Sequence, residues 1–152
     1  MPATGIGPAH LEDSVTDPAL TVEPVISDDL RAWLMATLRF PVLAVLTGDG
    51  APNQSVMWFD LDPDHSDTIL MNTRVGRAKD RFLRRDPRVS LCFEEELTWV
   101  ALQGTVELDD DREASMRGIL GLAERYRSTA REFGGQERVT IRMKVEKVIR
   151  HD

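Results

Sequence analysis

Apolar positions recur along this chain at two spacings, every second residue and every third or fourth, and the switches between them mark out strands and short helices. Leu30, Trp33, Leu34 and Leu38 fall at helical spacing behind Ser27-Asp28-Asp29, a capping signal, and predict a short amphipathic helix to about Thr37. Trp33 on that stripe is read as core rather than ligand contact. Pro41 to Thr47 reads as a strand, turned by Gly48-Asp49-Gly50 into a second from Pro52 to about Leu61. Thr68 to Thr73 is a third strand and runs into helical spacing at Val75, Ala78, Phe82 and Leu83, closed by Asp86-Pro87. Val89, Leu91 and Phe93 alternate with Ser90, Cys92 and Glu94 in a fourth strand, and Thr98 to Leu108 is a long fifth, with Gly104 expected at a bulge. Asp109-Asp110-Asp111 caps a helix through about Thr129 with the stripe Met116, Ile119, Leu120, Ala123, Tyr126. After Gly134-Gly135, Val139, Ile141, Met143 and Val145 alternate with polar residues in a closing strand. Six strands with two or three short helices predict a small, mainly antiparallel β-barrel with helices packed outside.

Composition narrows the class. The 152 residues fit one domain with a real core, and 41% hydrophobic with 30% charged residues describe an ordinary soluble globular protein. Residues 1–26 mix Pro, Gly, Ala and acids without periodicity and read as a flexible or loosely docked arm, available to a partner subunit, ahead of a domain at 27–152. The longest apolar run, Pro41 to Leu46, is far too short to cross a bilayer. No basic region followed by an apolar core opens the chain, so the expected location is cytoplasmic. A single cysteine, Cys92, excludes an intrachain disulfide and reads as a packing thiol in a reducing compartment. The formal net charge of −7 argues against a nucleic-acid partner.

That acidity is interrupted once. From Arg74 to Arg88 seven basic residues (Arg74, Arg77, Lys79, Arg81, Arg84, Arg85, Arg88) face two acids, so the segment carries +5 and the remainder of the chain −12. Asn72, Thr73 and Gly76 supply turn and capping residues just before it. A helix beginning near Gly76 would turn free backbone N–H groups and the positive end of its dipole toward Arg77 and Lys79, an arrangement suited to a phosphate or carboxylate. A solvated basic helix face would have the same composition. On the second strand Asn53, Ser55, Met57 and Phe59 share one face and Gln54, Val56 and Trp58 the other; such a mixture serves either a pocket wall or ordinary barrel packing.

Residues for self-sufficient catalysis are missing. His10, His65 and His151 lie in a tail, a turn and the C-terminus, which leaves no frame for a triad or a zinc site. Asp60, Asp62 and Asp64 start like a calcium loop, but His65 stands where that loop needs glycine and Met71 where it needs glutamate. An anion cradle and a mixed strand without acid, base or nucleophile fit an enzyme whose chemistry is supplied by a cofactor, or a binder.

The run MNTRVGRAKDRFLRRDPRVSLCFE, preceded by VLAVLTGDGAPNQSVMWFDLDPD and followed by WVALQGTVEL, resembles the pyridoxamine 5'-phosphate oxidase-like split β-barrel family over about Ser27 to Arg150. Within it, the pattern R-A-K-x-x-x-L-R-R-D-P-R is similar to the actinobacterial branch that uses the deazaflavin coenzyme F420. The resemblance implies a six-stranded antiparallel split β-barrel of the FMN-binding type, a homodimer with two cofactor sites at the subunit interface, and hydride transfer between deazaflavin and a conjugated small-molecule acceptor. By the same resemblance Arg77 and Lys79 hold the phosphate or glutamate-tail end of the cofactor, Asn72 and Thr73 bond nearby, Asn53, Ser55 and Met57 lie along the ring, and Trp58 and Trp99 wall the substrate side. The Arg-rich strand and C-terminal phosphate clamp of pyridoxamine phosphate oxidases proper are not matched clearly. The alternatives are an FMN-dependent oxidoreductase of the same family and a non-catalytic flavin, F420 or tetrapyrrole-binding protein.

Overall fold

In the computed structural model, which describes residues 23–128 and 133–151, β-strands dominate. The elements run α1 (Asp28–Met35), β1 (Val42–Leu46), β2 (Pro52–Val56), β3 (Asp60–Leu61), β4 (Thr68–Arg74), α2 (Ala78–Arg85), β5 (Arg88–Glu95), β6 (Thr98–Asp109), α3 (Arg112–Arg125) and β7 (Arg138–His151). All neighbouring pairs are antiparallel, in the order β2-β1-β5-β6-β7-β4-β3. The strands β2 and β3 thus stand at opposite edges of the sheet, although only residues 57–59 separate them along the chain. So short a link spans at most roughly 14 Å. The sheet must therefore curl until its edges nearly meet, and because those edges are not paired with each other the result is a split barrel.

Seven strands replace the six expected, because the single strand read from Pro52 to Leu61 breaks into β2 and β3. Its middle, Met57-Trp58-Phe59, is extended but crosses from one edge to the other. Inside the barrel Leu43, Leu91, Phe93, Leu102, Ile141 and Met143 are among the fully buried residues, with Phe59 and Phe93 edge to face at 4.9 Å. Alternation put Leu91, Phe93, Ile141 and Met143 on buried faces, as read. The other face leaves Cys92 exposed, so the thiol is not part of the core, and its Sγ lies 4.0 Å from the Phe93 carbonyl oxygen.

The helices follow their caps closely. Ser27 accepts from the Leu30 amide at 3.2 Å and turns Leu30 and Leu34 into the core, where Ile26 is also buried. Asp67, at positive φ in the turn before β4, accepts from the amides of Val25 and Ile26 at 2.9 and 2.7 Å and pins the chain entering α1. The remainder of the expected arm, residues 1–22, lies outside the described residues. In α3, capped by Asp111, the buried positions are Ser115, Ile119, Leu122 and Ala123, with Leu120 exposed, so the apolar stripe is rotated from the one the spacing suggested. The cause is polar. The Ser115 hydroxyl lies 3.0 Å from the amide and the hydroxyl of Thr140 on β7, and this anchors α3 on the outer face of the sheet. Nor is the acidic turn after β3 merely solvated: buried Asp62 bonds the Asp64 amide, the His65 ring and Arg142. Among the described residues, no helix is long and apolar enough to cross a membrane.

Candidate functional site

The basic segment divides into two groups with different surroundings. Arg84 and Arg88 are paired with carboxylates, Arg84 with Asp80 and Asp110, and Arg88 with Asp86. Arg81 bonds the Gly76 carbonyl, and Arg85 lies over the turn at Gly48. These four behave as a solvated and structural helix face. Arg74, Arg77 and Lys79 do not. They line one wall of a cavity of about 300 Å³ together with Arg138, the first residue of β7.

Local structure explains the gathering. The α2 helix starts later than expected, with Arg77 as its N-cap and no side chain capping its first turn. Asp80, buried, reaches back to the Gly76 amide at 2.8 Å and so fixes the turn at positive φ. The β4–β7 ladder places Arg74 opposite Arg138, and the Val75 amide extends the pairing to Glu137. Arg138 Nε donates to Asn72 Oδ1 at 2.9 Å and its NH1 to Gln136 at 2.9 Å, while the guanidinium lies 5.3 Å from the Phe133 ring. Asn72 Nδ2 in turn donates to the Ser115 carbonyl of α3 at 2.9 Å. Both ends of the Asn72 amide are engaged, which makes it the brace that aims Arg138.

The electrostatics are one-sided. Val56, Met57, Trp58, Asn72, Thr73, Ile119, Leu122 and Phe133 complete the lining, so among the described residues no carboxylate joins the four cations in it. Lys79 Nζ lies 3.2 Å from the Met57 thioether, a weak acceptor for an ammonium with three donors. Burial, then the charges of Arg77 and Arg138, push the Lys79 ammonium below its ordinary pKa. Burial, then Arg77 and Arg74, bring Arg138 down to about 10. A bound anion would relieve both strains, and the apolar side of the cavity would take a flat ring.

Of the residues singled out in the sequence, Met57, Trp58, Asn72, Thr73, Arg77 and Lys79 meet here. Asn53 and Ser55 do not line the cavity. Asn53 sits exposed on the edge strand β2, and Ser55 reaches toward the site only through a 3.7 Å contact to the Met57 sulfur. Trp99 lies on the outer sheet face, stacked on His151 at 6.1 Å, away from this cavity. Arg138 and Phe133 were not anticipated. Their signal was a lone arginine following Gly134-Gly135 at the head of an alternating strand, a weak one without knowledge of its neighbour.

A curled antiparallel sheet with a cationic cavity beside the link between its edges defines a split-barrel protein. The chain belongs to the pyridoxamine 5'-phosphate oxidase family, whose model matches residues 26–152. Among solved structures it is similar to a conserved hypothetical protein from Mycobacterium tuberculosis, at 26% identity over 87% of this chain and 88% of that one, with a TM-score of 0.70. An F420 reductase shares the fold at 22% identity, 78% and 94% coverage and a TM-score of 0.68. A heme binding protein from Mycobacterium smegmatis does so at 21% identity, 86% and 55% coverage and a TM-score of 0.60.

Proposed function

We propose that the protein is an oxidoreductase that holds the deazaflavin coenzyme F420 in this cavity and turns its ring toward a conjugated, electron-poor small molecule. One observation carries the choice of cofactor: among the described residues, four cations and no acid line a single cavity of about 300 Å³. FMN brings one phosphate, whereas a deazaflavin with a carboxylate tail brings more negative charge to the same cluster. Lys79 and Arg138 would hold the phosphate, Arg74 and Arg77 the outer anionic groups, and Met57 and Trp58 the ring. The bound deazaflavin supplies a hydride. The chain's own task is then to orient the ring, exclude water and leave protonation to solvent, which agrees with a lining that has no carboxylate, histidine or cysteine.

The reading extends to a homodimer. Val56, Val42, Cys92, Ala101 and Ile149 stand side by side across five strands on the outer face, all at least partly exposed. Val56 also lines the cavity, so a second copy on that face would reach the cavity's lip. Trp99 shares this outer face, and its expected substrate-wall role holds only if two copies assemble through it.

Titrating the purified protein separately with coenzyme F420 and with FMN, at low and high salt, tests the proposal. Tighter retention of F420 with the steeper salt dependence is expected. The affinity should also fall as pH rises through the depressed Lys79 pKa, since only the ammonium holds the anion. Tighter FMN binding would favour the flavin enzyme of the same family, and binding of neither would end the enzyme reading. Retention of F420 without turnover of quinone, enone or tetrapyrrole acceptors would favour a carrier.

A further inference from the structure

Trp58 is held from behind by a residue that does not itself line the cavity. Tyr126, just past the end of α3 and buried, lies parallel to the Trp58 indole at 5.2 Å with 8° between the planes. On the cavity side Phe133 meets the same indole edge on at 6.2 Å. The Tyr126 hydroxyl donates to the Arg39 carbonyl at 2.5 Å and accepts from the Phe59 amide at 3.3 Å. Arg125, its neighbour, donates to the Phe59 carbonyl at 3.1 Å. The peptide groups of the residue after Trp58 are therefore bonded on both sides by the end of α3, within a link that belongs to no strand. A link of that kind has no ladder to fix the side chain it carries. Its direction comes from these contacts, from packing against the core and from the bond of the Met57 amide to the Pro41 carbonyl.

We propose that Tyr126 is a positioning residue that, with Arg125, sets the plane of Trp58 and thereby makes the cavity select ring-bearing anions over bare ones. This rests on the reading of the cavity as a site for a phosphorylated ring compound. A bare anion needs only the cations, which Tyr126 does not touch; a ring needs the indole wall at a fixed angle.

The test compares affinity for coenzyme F420 and FMN with affinity for inorganic phosphate in Tyr126→Leu, Tyr126→Phe and Arg125→Met. Tyr126→Leu should weaken the ring ligands about tenfold and leave phosphate unchanged. Tyr126→Phe keeps the stacked ring and should restore most of the loss. Arg125→Met removes the bond to the Phe59 carbonyl together with the guanidinium's contacts over the Phe59 and Tyr126 rings and leaves Tyr126 itself in place, so it carries the test if Tyr126→Leu does not fold; it should shift ring affinity in the same direction by about threefold. In spectra of indole N–H groups, the resonance identified as Trp58 by its absence in Trp58→Phe should move in Tyr126→Leu while those of Trp33 and Trp99 stay. Ring and phosphate affinities falling together, or ring affinity unchanged in Tyr126→Leu and Arg125→Met, would overturn the role. A wild-type chain that takes phosphate but neither ring compound overturns the reading of the site itself and this role with it.

Discussion

Replacing Arg138 by methionine should weaken binding of a phosphorylated ring compound by about a hundredfold, since a charge-assisted bond in a partly buried site contributes roughly 1.5–3 kcal/mol. The guanidinium is aimed by Asn72 and Gln136, each at 2.9 Å, and held among like charges with no carboxylate in the lining. Lys79→Met should have an effect of the same order, because among the described residues the ammonium has the Met57 thioether, at 3.2 Å, as its hydrogen-bond partner. Arg74 and Arg77 are exposed, so their removal should cost only a few-fold, and that loss should shrink at high salt. Titration of each variant with coenzyme F420 and with inorganic phosphate distinguishes the deep pair from the outer one. Equal losses at all four positions would mean that charge is read only in bulk, and a loss under threefold at Arg138 would remove it from the site.

Gly104→Ala should cost more than about 3 kcal/mol of stability or prevent folding. A Cβ built there comes 1.9 Å from the Lys144 carbonyl oxygen, a backbone atom that cannot rotate away. Gly104 marks the register shift between β6 and β7, where Gln103 faces Lys147 but Gly104 faces Val145, so Glu146 is the extra residue. The bulge expected at this glycine is present, with its extra residue on the partner strand. Gly121→Ala is the control: in α3 a Cβ there meets nothing within 4 Å, and alanine should be neutral or stabilise by up to about 1 kcal/mol. Urea denaturation of both variants measures the contrast.

Much of this architecture was legible locally. Alternation gave the buried faces of β5 and β7, and Ser27 and Asp111 gave two helix starts as capping residues. The charge island around α2 pointed to three of the cavity's four cations, because Arg74, Arg77 and Lys79 are near one another in sequence. Arg138 was hidden for the opposite reason. It meets Asn72 across 66 residues through a β4–β7 pairing that no local pattern specifies. The rotated stripe of α3 depended on Ser115, whose value as an anchor appears only once Thr140 is beside it. Buried Asp80 was invisible likewise, since its partners are a backbone amide and Arg84, on which composition is silent. The break between β2 and β3 was missed because Met57-Trp58-Phe59 continues an extended sequence without a turn residue; the crossing is forced by which edges of the sheet remain open.

That crossing has a mechanical consequence. Since β2 and β3 share no ladder, the stretch bearing Met57 and Trp58 is tethered by the Met57 amide to Pro41 and by the tail of α3 to Phe59. A change in the path of that link would break these few bonds and none of the cross-strand ladders.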